Sequence, residues 1–348
     1  MIEETPQRTE LSELGEFGLI DHLTKEIELI NPSSKVGVGD DAAVIDNTGF
    51  QTLVSVDLLV EGVHFDLTYM PFRHLGYKAA VVNFSDIAAM NGTPKQIIVG
   101  LAVSNRFPVE AIEEIYEGLT TACKKYKVDL VGGDTTSSIS GLFLSITVIG
   151  QAKEDAICYR KGASANDLLC VSGDLGGAYM GLLLLEREKA VYKANPAMQP
   201  DLDGYDYVLE RQLKPEARMD IVDKLKVVDI KPTSMIDISD GLASEILHLC
   251  KASALGCRIY EDKIPIDPMT FSVAEEFNLT PTIAALNGGE DYELLFSISQ
   301  SDYEKIRGIA DITVIGHFTE DTNCFLITTD EQAIPLMAQG WDGLKKQK

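Results

Sequence analysis

From residue 50 to residue 150 the chain alternates between strand-like and helix-like patterns, and after Gly150 the alternation begins again. Residues 50–65, FQTLVSVDLLVEGVHF, read as a strand that ends in an irregular acidic segment. Residues 72–90 read as a helix with Leu75, Ala79, Val82 and Ile87 on or near one face. The run IIVGLAV at 97–103 is a strand, 108–126 a helix with Pro108 near its start, and LFLSITVI at 142–149 another strand. Beyond a polar link, AKEDAICYRKGASANDL, come the strand LLCVSG, a glycine-rich turn and the helix AYMGLLLLERE. A less regular acidic stretch near 195–212 then precedes the strand SMIDI and the helix GLASEILHLCKAS. At 348 residues the chain exceeds one ordinary hydrophobic core, so the pattern predicts two α/β domains with a boundary near 150. NFSDIAAM and DISDGLAS echo one another faintly, without the period of a repeat protein.

Acidic residues outnumber basic ones 54 to 30, and a formal charge of −24 repels phosphate backbones, which argues against nucleic acid as a partner. A small phosphorylated ligand stays compatible, because Mg²⁺ bridges carboxylates to phosphate oxygens and reverses the local sign. The N-terminal MIEETPQRTELSELGEF has neither the basic nor the apolar region of a signal peptide, and no apolar run is long enough to span a membrane. Six cysteines, at 123, 158, 170, 250, 257 and 324, form no CxxC pair and read as reduced, mostly buried thiols of a cytoplasmic protein.

Five acidic stations stand beside glycine, serine or apolar residues rather than in surface charge runs. They are GDDAAV (Asp40, Asp41), SVDLL (Asp57), NFSDIAAM (Asp86), GGDTTSS (Asp134) and IDISDG (Asp237, Asp240). Several fall where a strand gives way to a turn or helix, the place at which α/β proteins gather ligands. Hard oxygen donors from separate segments are what Mg²⁺ requires. Each station alone has a plainer explanation as a turn residue or cap, and Asp240 ahead of GLASEIL reads equally as a helix N-cap. Asp86 resists that explanation, since an unpaired carboxylate inside an apolar helix is destabilising. No GxxxxGK[ST] loop, no GxGxxG after a strand and no kinase-type catalytic loop is present. If the chain handles ATP, carboxylate-held metal must do what a phosphate-loop lysine does elsewhere.

Taken in order, VGVGDDAAVI, SVDLLVEGVHF, YKAAVVNFSDIAAMNGTP, LVGGDTTSS, RKGASANDLLCVSGDLGGAYMGLLLL, IDISDGL and NGGEDYELLF resemble the thiamine-monophosphate kinase family. That family belongs to a superfamily with aminoimidazole ribonucleotide synthetase, selenophosphate synthetase and the hydrogenase maturation protein HypE. The resemblance runs from GEFGLI at 15–20 to GWDGL at 340–344. It implies ATP-dependent phosphorylation of thiamine monophosphate to thiamine diphosphate, with several Mg²⁺ ions. It also implies a two-domain α/β (α+β) fold like that of aminoimidazole ribonucleotide synthetase. In that fold residues 1–150 bind metal and ATP and pair their sheet with a second copy in a homodimer. Residues 151–348 complete the site, with nucleotide and metals in the cleft between the domains.

The resemblance further implies metal ligands at Asp40, Asp41, Ser55, Asp57, Asp86, Asp134, Asp237 and Asp240, with Val56 offering only its backbone carbonyl. Asp57, Asp86 and Asp237 are implied at the reacting phosphate. Tyr116, Gly133, Asp134, Arg160 and Ser239 match nucleotide-contacting positions, Arg160 as a forked partner of phosphate. His64, Glu290 and Trp341 match the acceptor side. His64 reads alternatively as a cap on its strand end, Trp341 as an aromatic anchor for the C-terminal segment, and SGDLGGAYM either as an anion nest or as a tight strand-to-helix turn. Histidines 22, 74, 248 and 317 read as structural. Within the superfamily, no reactive cysteine precedes VGVGDD as in selenophosphate synthetases, and the chain ends in GLKKQK rather than in the cysteine-bearing tail of HypE. A nucleotide sensor that binds without turnover is the alternative from another class.

Overall fold

The computed structural model describes residue 19 and residues 22–36 and 44–339. Asp40, Asp41 and Trp341 lie outside the described residues. The chain divides into two compact units, one of residues up to Ile87 with Thr93–Glu154, the other of Ala88–Gly92 with the residues from Asp155 on.

The first unit is built on a four-stranded sheet, ordered β3 (Gln51–Val60), β6 (Leu142–Ala152), β4 (Thr93–Val103) and β5 (Asp129–Ser137). A short pair, β1 (Ser34–Val36) and β2 (Val44–Ile45), stands apart from it. β3, β6 and β4 run antiparallel, and β5 lies parallel to β4. β6 alternates strictly, with Leu142, Leu144, Ile146 and Val148 fully buried, which is the pattern of a sheet covered on one face. Two helices supply the apolar partners, α1 (Phe72–Ala89) and α2 (Val109–Tyr126). α2 is amphipathic, burying Ile112, Ile115, Leu119 and Ala122. α1 departs from the one-faced helix its apolar spacing predicts. Leu75, Ala79 and Ile87 are buried, but so are Ala80, Val81, Phe84 and even Lys78, Asn83 and Ser85. Reciprocal glycines set the α1–α2 contact: a Cβ at Gly76 would lie 1.9 Å from the Ile115 carbonyl oxygen, and one at Gly118 2.0 Å from that of Arg73.

The second unit carries a seven-stranded sheet, ordered β13 (Ala333–Pro335), β12 (Cys324–Ile327), β9 (Gly256–Tyr260), β11 (Ile312–Thr319), β7 (Leu168–Ser172), β10 (Leu294–Ile298) and β8 (Ser234–Asp237). All pairings are antiparallel except β12 with β9. Its helices are α3 (Gly177–Ala194), α4 (Asp206–Leu213), α5 (Met219–Val227), α6 (Leu242–Ser253), α7 (Pro268–Glu276), α8 (Pro281–Asn287) and α9 (Tyr303–Ile306). Adjacent strand residues point to opposite faces, so Leu169, Val171, Ile236 and Leu295 meet Leu242, Ile246 and Leu249 of α6. Cys170, Met235 and Phe296 meet Ile221, Val222 and Leu225 of α5 on the other side. The acidic stretch near 195–212 resolves into helix α4, whose Val208 packs with Met180 and Leu184 of α3.

Candidate active site

In the first unit three of the expected residues converge. Ser55 and Asp57 stand two apart on β3 and so share a face, the one opposed to Val148 and Ile146 of β6. Asp86 reaches them from α1, and Ser55 Oγ donates to Asp86 Oδ2 at 2.5 Å. Burial raises the Asp57 carboxyl from 3.8 to about 6, and the neighbouring charge of Asp86 pushes the same way. Two hard carboxylates that repel each other, with a hydroxyl beside them, form a donor set suited to a divalent cation of the Mg²⁺ kind. Val56 lies between Ser55 and Asp57 with its side chain on the opposite, exposed face, so any part it takes falls to its backbone.

Asp134 does not join this group through the sheet. It pairs with Gly100, Gly100 with Ser145 and Ser145 with Leu58, which sets the Asp134 side chain on the face away from Asp57. Gly133 has a packing reason to be glycine, since a Cβ there would lie 2.3 Å from the Val99 carbonyl oxygen. Tyr116 is buried at 8% exposure, and burial pushes its hydroxyl to about 12. His64 is exposed, and its Nδ1 accepts the Val60 N–H at 3.1 Å, the strand-end cap that its position allows. Beside this segment lies a cavity of about 490 Å³ lined by residues that include Glu61, Asp66, Phe72 and Arg106.

In the second unit IDISDG and GGEDYEL run side by side. The β8–β10 ladder continues past its strand ends: Ile238 N donates to Glu293 O at 2.8 Å, Tyr292 N to Ile238 O at 2.8 Å and Glu290 N to Ser239 O at 2.7 Å. Asp237, Ser239, Asp240 and Glu290 are thereby brought to one edge. Glu290 and Tyr292 both have positive φ, 67° and 52°, which lets consecutive carboxylates take different partners. Glu290 accepts from Gln212 Nε2 at 2.8 Å. Asp291 turns to the glycine loop and accepts from Gly176 N at 2.8 Å and Ala178 N at 3.3 Å. The start of α3 is therefore occupied by the chain's own carboxylate, and SGDLGGAYM is a tight strand-to-helix turn. Arg160 is exposed and, among the described residues, forms no hydrogen bond or ion pair.

Three features of this unit escape sequence reading. Glu245, in the first turn of α6, is 2% exposed. It accepts the Asp240 N–H at 3.3 Å, while its Oε2 has no hydrogen-bond partner among the described residues. Burial, with Asp240 and Asp237 adding repulsion, raises its carboxyl to about 8. Glu293 is held by Arg211 at 2.9 Å, by Arg218, and by Ser172 Oγ at 2.5 Å. Asp174 accepts from Tyr207 at 2.5 Å. In sequence Glu245 looks like an ordinary acidic residue at a helix start, and the partners of Glu293 lie 75 to 121 residues away.

A protein-family model described as AIR synthase related protein, N-terminal domain, matches residues 39–152. Thiamine-monophosphate kinase of Bacillus subtilis (strain 168) is 36% identical over 342 residues, covering 95% of this chain and 100% of that protein. The chain belongs to the thiamine-monophosphate kinase family. A second thiamine-monophosphate kinase, from Aquifex aeolicus (strain VF5), is 35% identical over 316 residues, covering 91% of this chain and 95% of that one. A solved structure described as AaThiL complexed with AMPPCP and TMP superposes with a TM-score of 0.74 at 32% identity, covering 97% of this chain and 99% of that one. Membership of the thiamine-monophosphate kinase family bears out the resemblance carried by the acidic motifs, and the two-sheet α/β architecture accords with it.

Proposed function

We propose that this protein transfers the γ-phosphoryl group of ATP to the phosphate of thiamine monophosphate, giving thiamine diphosphate and ADP. The observation that carries the proposal is the end-to-end likeness to thiamine-monophosphate kinases, 36% identity across 95% of the chain. The local geometry supports it. Ser55, Asp57 and Asp86 in the first unit, and Asp237 and Asp240 in the second, offer hard oxygens for Mg²⁺, with Asp40, Asp41 and the Val56 carbonyl assigned by motif; Asp134, on the other face of the sheet from Asp57, has the motif alone in its favour. Bound Mg²⁺ would supply positive charge to the transferring phosphoryl oxygens. Arg160, exposed and unpaired among the described residues, presents its fork to phosphate, with Tyr116, Gly133 and Ser239 as further nucleotide positions.

On the acceptor side His64 keeps Nε2 for substrate while Nδ1 caps β3. Glu290, fixed by Gln212, places negative charge for the thiazolium ring, and Trp341 an aromatic face. The acceptor oxygen is already anionic at neutral pH, so transfer needs positioning and charge neutralisation rather than a strong base. A homodimer is part of the proposal. Val54, Val56 and Leu58 of β3 are 57–64% exposed on one face, an apolar stripe that a second copy of the sheet would cover. Six free cysteines accord with a reducing, cytoplasmic setting.

Incubation of the purified protein with ATP, Mg²⁺ and thiamine monophosphate should yield thiamine diphosphate. Binding of all three without product would overturn kinase activity in favour of a sensor.

A further inference from the structure

Three of the six cysteines, separated in sequence, meet in the core of the second unit. Cys250 lies near the end of α6, Cys257 on β9 and Cys324 on β12, and their Sγ atoms all lie within 4.8 Å of one another. Cys257 and Cys324 are direct partners in the β9–β12 ladder, and the helix above them supplies the third sulfur. Cys250 and Cys257 are buried, and Cys324 is half-buried. The surrounding frame is fixed. Leu249, Ile259, Phe318 and Leu326 belong to the same core. Arg258 Nη1 donates to the carbonyls of Cys257 at 3.0 Å and Asn323 at 3.2 Å, pinning the backbone beside both strand cysteines.

We propose that Cys250, Cys257 and Cys324 form a binding site for a thiophilic divalent cation, Zn²⁺ in the cell. Soft sulfur donors select such ions over Mg²⁺, which takes oxygen. With metal–sulfur bonds of about 2.3 Å the three sulfurs of a trigonal base stand about 4 Å apart, so the trio needs to contract by less than about 1 Å. Binding replaces three thiol protons by one cation and leaves a single negative charge beside the Arg258 guanidinium. No fourth protein ligand joins the trio among the described residues. The half-buried side at Cys324 leaves that position to water, as in zinc sites with three protein ligands. The proposal stands apart from the kinase reading and is tested without nucleotide or substrate.

The test titrates the full-length, reduced protein with Cd²⁺ and follows the sulfur-to-cadmium charge-transfer band, with native mass spectrometry for stoichiometry and Zn²⁺ as competitor. One equivalent should bind, give the intensity of three thiolates, be displaced by Zn²⁺ and protect three cysteines from alkylation. Cys324→Ser, at the half-buried position, should keep its circular dichroism and melting curve while cadmium affinity falls at least roughly tenfold, and Cys158→Ser should bind as the parent does. Absence of the band, a band unchanged in Cys324→Ser, or a protein 2 Da lighter through a disulfide within the trio would overturn the site.

Discussion

Ser55 Oγ donates to Asp86 Oδ2 across 2.5 Å, tying an edge strand to a helix 31 residues further along the chain. The bond aims a carboxylate that sits in the last turn of α1, among buried neighbours, toward Asp57. If Asp86 holds metal for phosphoryl transfer, Asp86→Asn should lower turnover by several orders of magnitude, because electrostatic stabilisation of this kind contributes roughly 3–4 kcal/mol or more. The amide keeps its acceptor for Ser55, so circular dichroism should be unchanged. Near-normal turnover in that folded variant would remove Asp86 from the site.

Asp57 makes a prediction about pH. Its folded-state value of about 6 lies above the 3.8 of an ordinary aspartate, so between those values the folded state binds more protons than the unfolded one. Stability contributed at this residue therefore falls as pH rises from about 4 to about 6 and stays lower above that, by an amount on the order of 2–3 kcal/mol before solvent screening. Asp57→Asn should raise the melting temperature of the metal-free protein at pH 7.5, leave it nearly unchanged at pH 4, and abolish activity. Equal melting shifts at both pH values would contradict the assignment.

Mutual repulsion of Asp57 and Asp86 also predicts how ligands act together. Mg²⁺ with a non-hydrolysable ATP analogue should raise the melting temperature by more than the sum of the two separate shifts. A ligand that binds only the folded form stabilises it by about 2.7 kcal/mol at a hundredfold excess over its dissociation constant. Differential scanning fluorimetry distinguishes this from simple addition, which would place cation and nucleotide at independent sites.

Transfer should be direct. His64 is the candidate for a covalent phosphoenzyme in the segment proposed to meet the acceptor, and its Nδ1 is occupied by the Val60 N–H. No orienting carboxylate is bonded to it among the described residues, so its Nε2 lacks the partner that activates a nucleophile. A chiral γ-phosphate should be transferred with inversion, and ADP should not exchange into ATP without thiamine monophosphate. Retention, or acid-labile phosphate on His64, would require a two-step mechanism.

Removing the carboxylate that caps α3 should be costly. Asp291→Ala would leave the N–H groups of Gly176 and Ala178 without acceptors and take a counter-charge from Arg211, 3.6 Å away. Loss of about 3–5 kcal/mol is expected, read as a lower urea midpoint. A midpoint unchanged within error would show that the loop does not depend on Asp291.

The strands at 51–60, 93–103 and 142–152 and the helices between them were legible because each keeps its own period over many residues. β5 is not legible in the sequence, since GGDTTS carries turn residues whose strand pairing depends on β4 alongside. Asp86 was legible as a carboxylate in the wrong place for a solvated helix. Glu245 was not, because its burial depends on the turn at Asp240 folding back over it. The cysteine trio was invisible for a related reason: spacing along the chain says nothing about three elements that meet only through a parallel strand pair and a crossing helix.

The contact between Asp291 and the start of α3 bears on where phosphate recognition can reside. In many nucleotide-binding α/β proteins a glycine-rich turn lends its amides to the ligand, and affinity can be traced to that loop. Here the amides of Gly176 and Ala178 are spent on Asp291, and the loop is closed to a second anion by occupancy. On the proposed function, SGDLGG would be the wrong place to seek a phosphate loop. On that reading phosphate recognition would fall to cations, bound metal or arginine, and nucleotide affinity would be a quantity that chelators and ionic strength can set from outside.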